Sequence, residues 1–176
     1  MHDNDSTTIV RAATREDIPG IVTVMKSSVT EEEVVGFGGM NSESPFRDAM
    51  ALSVAWLDPN RVGPEELFVA QASGRVVGVV AMEERDLELE IVDIDVARAH
   101  QRKGIGKSLV QFIEGRARVL GKRAVTLGTS RNAEGVPWKS LPFWQALGYA
   151  ITHEEENAWT LSIGPGAREI RMRKEL

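Results

Sequence analysis

Apolar residues along the chain keep two rhythms, a period of two where strands are expected and a period of ~3.6 where helices are. Residues 8–12 predict an opening strand. Thr14-Arg15-Glu16-Asp17 then reads as a helix start, with Thr14 as N-cap and acids in the first turn. Ile18, Ile21, Val22 and Met25 supply that helix with one apolar stripe. The rhythm fails over residues 31–44, where three glutamates and a Gly36-Phe37-Gly38-Gly39 run predict a loop or a disrupted helix. Ser44-Pro45 opens a second helix over 45–57, and Asp58-Pro59-Asn60 stops it. Strands over 67–72 and 76–82 flank a Ser73-Gly74 turn, and a third strand over 87–96 follows Asp86. A long helix comes next, with Ile105, Leu109, Phe112, Ile113, Ala117 and Leu120 on one face and Gly121 as its C-terminal cap. A strand over 124–127, a short helix from Pro142 to Leu147-Gly148, and closing strands over 149–152 and 169–173 complete the chain, with Trp159-Thr160-Leu161 strand-like between the last two. The order β-α-α-β-β-β-α-β-α-β predicts an α+β fold, a mixed sheet flanked by helices.

The third strand runs straight into a basic, glycine-punctuated turn, Ala99-His100-Gln101-Arg102-Lys103-Gly104-Ile105-Gly106-Lys107-Ser108. The first amides of a helix have no partner within it and carry the positive end of its dipole, so this turn predicts an anion cradle. Gly104 and Gly106 are expected to let a phosphate approach the backbone, and Arg102, Lys103 and Lys107 add full charges. A nucleoside-triphosphate loop needs a glycine where Gln101 stands. A dinucleotide fingerprint needs a third glycine where Leu109 stands.

The pattern Gln101-x-x-Gly104-x-Gly106 between a strand and a long helix fits without exception, and it resembles the coenzyme A pyrophosphate loop of the GNAT superfamily of N-acetyltransferases. Phe143-Trp144-Gln145-Ala146-Leu147-Gly148-Tyr149 resembles that superfamily's second motif, and Ile9-Val10-Arg11-Ala12-Ala13-Thr14-Arg15-Glu16-Asp17-Ile18 its common opening. The resemblance covers residues 9–149 and is weakest over 28–62; the closing residues look like a bacterial branch whose substrates are unsettled. It implies a mostly antiparallel mixed sheet of about six to seven strands with four helices. It also implies acetyl-CoA as cosubstrate. The pyrophosphate would sit on the amides and charges of Arg102, Lys103, Gly104, Ile105, Gly106, Lys107 and Ser108, while Gln101 braces the turn or meets a phosphate. The pantetheine arm would lie along Ile94, Asp95 and Val96, one of whose N–H groups polarises the thioester carbonyl. Asn132 matches a position that contacts coenzyme A in relatives.

For the general base the resemblance offers Glu90, with Asp93 as its rival. Strict alternation sends these two to opposite faces, and a bulge would reverse that parity. Trp144 stands where many relatives carry a tyrosine near the coenzyme sulfur, and an indole N–H is far too weak an acid to deliver a proton. Tyr149 matches an aromatic that packs in the core. The expected activity is N-acetylation of a primary amine on a small molecule by direct attack on the thioester. The alternatives are a protein N-terminus or lysine as acceptor, or an acyl-CoA-binding module without turnover.

The 176 residues are expected to form one domain, 1–176, with a disordered tail over 1–7. The net charge of −5 opposes general nucleic-acid affinity and favours a cationic substrate by steering. Zero cysteines and three scattered histidines predict no metal site. Neither a long apolar run nor a signal-like N-terminus is present, so no membrane partner is expected and a cytoplasmic setting is. Ala158-Trp159-Thr160-Leu161 offers an apolar edge through which a homodimer would form, as in many relatives.

Overall fold

The structure is a computed structural model and describes residues 7–37 and 65–176; the helix expected over 45–57 and most of the expected tail lie outside the described residues. Its elements are β1 (Ile9–Ala12), α1 (Ile18–Ser27), β2 (Glu65–Ala72), β3 (Arg75–Glu84), β4 (Glu88–Val96), α2 (Ile105–Val119), β5 (Ala124–Arg131), α3 (Leu141–Ala146), β6 (Ala150–Glu155), α4 (Ala158–Ile163) and β7 (Arg168–Glu175). The strands form one seven-stranded sheet in the order β1-β2-β3-β4-β5-β7-β6. Only β4 and β5 run parallel, because the α2 crossover between them returns the chain to the same end of the sheet.

Alternation along each strand sorts side chains to the two faces. One face carries Val80, Met82, Leu89, Ile91, Val125, Leu127, Ile170 and Met172, which pack with Ile105, Leu109, Val110, Ile113 and Ala117 of α2 and with Leu141 and Trp144 of α3. The other face carries Leu67, Val69, Val79 and Ala81 under Ile21, Val24 and Met25 of α1. The α2 helix lies very close to β3 at Gly78, where an added Cβ would come within 3.0 Å of Leu109 Cδ1 and 3.1 Å of Ile105 Cγ2. That approach fixes where the first turn of α2 sits relative to the end of β4.

A bulge interrupts β4. Ala81 of β3 pairs with Asp93 while Met82 pairs with Ile91, so Val92 is the extra residue. The bulge reverses the parity that strict alternation gives. Glu90 pairs with Glu83, Asp93 with Ala81 and Asp95 with Val79, which puts all three acids on the α1 face.

Two expectations are corrected. The segment around Trp159-Thr160-Leu161 is not strand-like but helical, α4. Asn157 Oδ1 accepts the Thr160 N–H at 3.0 Å, and Thr160 Oγ1 accepts the Asn157 N–H at 2.9 Å. This reciprocal cap, with Thr160 fully buried, nucleates a short helix that the apolar spacing does not reveal. The segment therefore offers no strand edge for a homodimer. Leu120 is 40% exposed and lies beyond the last residue of α2, so it is not part of that helix's buried face.

Placing a valine at Gly78 forces α2 away from β3. Gly78→Val is expected to cost about 1–3 kcal/mol, as overpacking does, read as a lowered urea midpoint without a change in slope.

Candidate active site

β4 and β5 are paired only from Glu88↔Ala124 to Ile91↔Leu127. Past that point both strands continue, β4 held by β3 as far as Val96 and β5 held by β7 as far as Arg131. The two parallel strands therefore part into a V, and residues 92–96 turn an edge without a strand partner toward the opening. Ile94, Asp95 and Val96 lie along this edge.

The turn after β4 is fixed before α2 begins. Gln101 Nε2 donates to Val96 O at 2.9 Å and to Ser28 O at 2.8 Å, tying the end of β4 to the end of α1. Of the two roles open to Gln101, the structure gives it the brace. Arg102 and Gly104 adopt left-handed backbone, φ 60° and 83°, and bend the chain just ahead of the helix. The first backbone bond of the α2 turn joins Ser108 N–H to Gly104 O at 3.0 Å. The amides of Ile105, Gly106 and Lys107 ahead of it have no partner within the helix. Ser108 Oγ also donates to Gly104 O, at 3.1 Å. Arg102, Lys103 and Lys107 are exposed around this end, outside every ion pair among the described residues. Gly106 differs from expectation: its missing Cβ faces Phe143, 3.3 Å from Cζ, so the glycine serves packing against α3.

Glu90 is 6% exposed and sits where the V begins to open. Arg171 Nη1 of β7 lies 2.7 Å from its Oε1, and Arg85 Nη2 contacts its Oε2. A cleft of about 220 Å³ opens here, lined by Glu83, Arg85, Glu90, the bulge residue Val92, Gly128, Trp159, Glu169 and Arg171 among others.

Asp93 and Asp95 belong to a different environment. Their Oδ2 atoms are sealed from solvent and without hydrogen-bond partners. Burial, and then the neighbouring Asp95 charge, hold the Asp93 carboxyl well above the usual range. Burial also pushes Asp95 up, against the Ser28 hydroxyl, Asp93 and Lys139, to about 6. The two act as a coupled carboxyl pair that holds a proton near neutrality. Beside them Glu33 ties down the segment after α1: Lys139 Nζ donates to it at 2.9 Å, Arg98 Nη2 at 2.6 Å and Thr30 N–H at 2.9 Å. Burial opposes its charge, but these donors bring the Glu33 carboxyl down to about 2.

Asn132 is buried and serves its own turn, Oδ1 accepting Val136 N–H at 2.8 Å and Glu134 N–H at 3.1 Å. Trp144 is 3% exposed and packs edge-on between Phe143 and Tyr149, at centroid distances of 4.9 and 5.4 Å. Tyr149 is also in the core, its hydroxyl donating to Glu114 Oε1 at 3.1 Å; burial and that carboxylate raise its pKa far above the ordinary phenol. Arg85, Arg171, Glu169, Ser28 and Lys139 complete these clusters and carry no motif. Gly128 in mid-β5 did carry a signal, since a lone strand glycine marks a close approach by other groups.

The model of the acetyltransferase (GNAT) family matches residues 28–149. Solved structures share the fold at low identity. A protein of Desulfovibrio desulfuricans assigned to the GNAT family is 18% identical, with 96% of this chain and 99% of that one covered and a TM-score of 0.73. The PaiA N-acetyltransferase of Thermoplasma acidophilum, solved in complex with coenzyme A, is 15% identical over 97% and 99%, with a TM-score of 0.67. The ribosomal-protein-S18-alanine N-acetyltransferase of Escherichia coli is 14% identical over 96% and 94%, also with a TM-score of 0.67.

A carboxyl whose pKa is raised on folding contributes stability below its unfolded-state value and loses it as the pH rises through the folded one. Removing the charge of Asp95 spares the fold that loss. Asp95→Asn should therefore gain stability relative to the parent as pH rises from 3.8 through about 6, and hold that gain above. Urea midpoints of both proteins across the range test this, and a difference that does not vary with pH defeats it.

Proposed function

Because the chain belongs to the acetyltransferase (GNAT) family, we propose that it transfers the acetyl group of acetyl-CoA to the primary amine of a small molecule. The observation that carries this reading is the open V between β4 and β5, with unpaired helix amides at one end and an ionisable carboxylate at its crotch. The residues present fit the cosubstrate. The edge over 92–96 offers backbone N–H and C=O groups to an extended amide-bearing arm, in the manner of an added strand. Ile105, Gly106 and Lys107 offer N–H groups to a pyrophosphate, and Arg102, Lys103 and Lys107 supply countercharge. Acetyl-CoA brings an acetyl group already activated as a thioester.

The protein's part is to bind, orient and move protons. An N–H of Ile94, Asp95 or Val96 donates to the thioester oxygen as charge grows there. An amine arrives as an ammonium and must lose a proton before its lone pair can attack. Glu90 is the carboxylate that lines the cleft beside the bulge, whereas Asp93 does not line it. Glu90 is therefore the base in this reading. The C–N bond forms, the C–S bond breaks, and of the two protons the ammonium loses, one ends on the coenzyme sulfur and one in solvent.

A cleft of about 220 Å³ suits a small acceptor. Its three carboxylates, Glu83, Glu90 and Glu169, against two guanidinium groups, Arg85 and Arg171, suit a cationic one.

The test is coenzyme A release with a panel of small amines beside peptides bearing a free N-terminus or a lysine. Small amines should turn over, and Glu90→Gln should lose about 10²–10⁴ in kcat with acetyl-CoA affinity retained. Turnover of peptides alone would move the acceptor to proteins. Tight acetyl-CoA binding with no turnover on any amine would make the protein a binding module.

A further inference from the structure

Arg171 reaches Glu90 from two strands away. In the order β4-β5-β7 the strand between them is β5, and the residue of β5 that pairs with Arg171 is Gly128. Neighbouring strands stand ~4.8 Å apart, so the guanidinium must pass over β5 to arrive. It passes over the glycine: a Cβ built on Gly128 would fall 3.0 Å from Arg171 Nη1 and 2.0 Å from Glu169 Oε1. No other residue leaves that channel open. Gly128 lies one residue past Leu127, the last residue of β5 paired to β4, so the crossing spans the point where the strands part.

The crossing is itself anchored. Arg171 Nη1 donates to Glu169 Oε1 at 3.0 Å, and Asn157 Nδ2 donates to Glu169 Oε2 at 2.6 Å. Asn157 is the N-cap of α4, the helix that presents Trp159 to the cleft. A continuous polar chain thus joins the cap of α4 to Glu90 through Glu169 and Arg171. It ends on one oxygen only. Glu90 Oε1 is held by Arg171, while Oε2 is buried, contacts Arg85 of the exposed β3–β4 turn, and has no aligned hydrogen bond.

We propose that Arg171, laid across Gly128, is the positioning residue that fixes Glu90 by one oxygen and leaves the other to take the proton of the acceptor amine. This rests on the reading of Glu90 as base. The division of labour follows from mobility. Both arginines pair with two carboxylates, but Arg171 is shielded, whereas the Arg85 side chain is half exposed on a turn and gives way to an incoming ammonium. Among the described residues, the other charged groups facing Glu90 are Glu83 from β3 and Glu169 from β7, with the Glu88–Arg173 pair farther along the same face. β5 and α4 contribute only the uncharged Thr126, Gly128 and Trp159 to this surface.

The experiment measures kcat, KM and the pH dependence of kcat/KM for Arg171→Gln, Arg171→Lys, Gly128→Val and Glu90→Gln, with an amine that the parent acetylates and after confirming folding by circular dichroism. Arg171→Gln should lower kcat about ten- to a hundredfold, the scale of a misplaced catalytic group, with KM for acetyl-CoA unchanged. Its acid limb should move to higher pH, because a carboxylate that loses a cation at 2.7 Å protonates more readily. Arg171→Lys should keep the limb near its parental position. Gly128→Val, which displaces an intact Arg171, should reproduce the Arg171→Gln profile and so tests the crossing without deleting the charge. An inactive Glu90→Gln beside an Arg171→Gln profile that superimposes on the parent overturns this inference alone. An active Glu90→Gln overturns the assignment of the base, and this inference with it.

Discussion

Two parallel strands that pair over four residues and then part must each be held by something else, and the site depends on how that is done. β4 is carried past the parting by β3 as far as Gly78↔Val96, and β5 by β7 as far as Arg131↔Arg168. Each arm of the V is thus half of an antiparallel pair that is complete without the other. The cost is a row of backbone groups on residues 92–96 without a strand partner among the described residues, tolerable where water or a ligand can reach them. The N-terminus of α2 lies at the open end of that row because Gly78 lets the helix settle onto β3 and Gln101 ties the intervening turn to β4 and α1. On the proposed reading the edge and the helix amides together take an extended anionic ligand.

The bulge at Val92 decides what faces that surface from the side. By shifting parity it brings Glu90, Asp93 and Asp95 onto one face, where an unbroken strand would have sent Glu90 into the α2 core. The three then part company through their surroundings. Glu90 meets guanidinium groups on both oxygens. Asp93 and Asp95 meet mainly each other, with Lys139 as the nearby cation, and two like charges so close in a shielded site cannot both ionise readily. One strand of alternating acids thereby yields an ion-paired carboxylate at the cleft and a proton-holding pair behind it.

Much of this fold was legible because its signals are local. The strand-to-helix turn, the alternation in β2 and β3, and the stripe of α2 each announce themselves within a few residues, and the mostly antiparallel mixed sheet followed from resemblance. What the sequence concealed depends on partners far apart in the chain. Arg171 and Glu90 are joined only by the crossing over Gly128, and Glu33 is drawn to Lys139 and Arg98 only once α1 is docked. Gly106 shows a different limit. Its place in a glycine pattern pointed to phosphate, but packing on Phe143 occupies the space its side chain would take. Helix α4 was missed because its cap, Asn157 with Thr160, outweighs an apolar spacing that reads equally well as strand.

On the proposed reading, the aromatic cluster bears on why the proton chemistry gathers at the crotch of the V. Trp144 is locked between Phe143 and Tyr149, and Phe143 is locked against Gly106, so this wall is rigid and aligned with the first turn of α2. It is also without a usable acid, since an indole N–H does not ionise in this range and the Tyr149 proton is held by Glu114 in the core. A leaving alkoxide would need such an acid. A thiol with an ordinary pKa of ~8.5 leaves as its thiolate with little help. On the proposed reading the demanding proton is therefore the one on the amine. That requirement falls, on the same reading, on a single carboxylate, which the crossing from β7 orients.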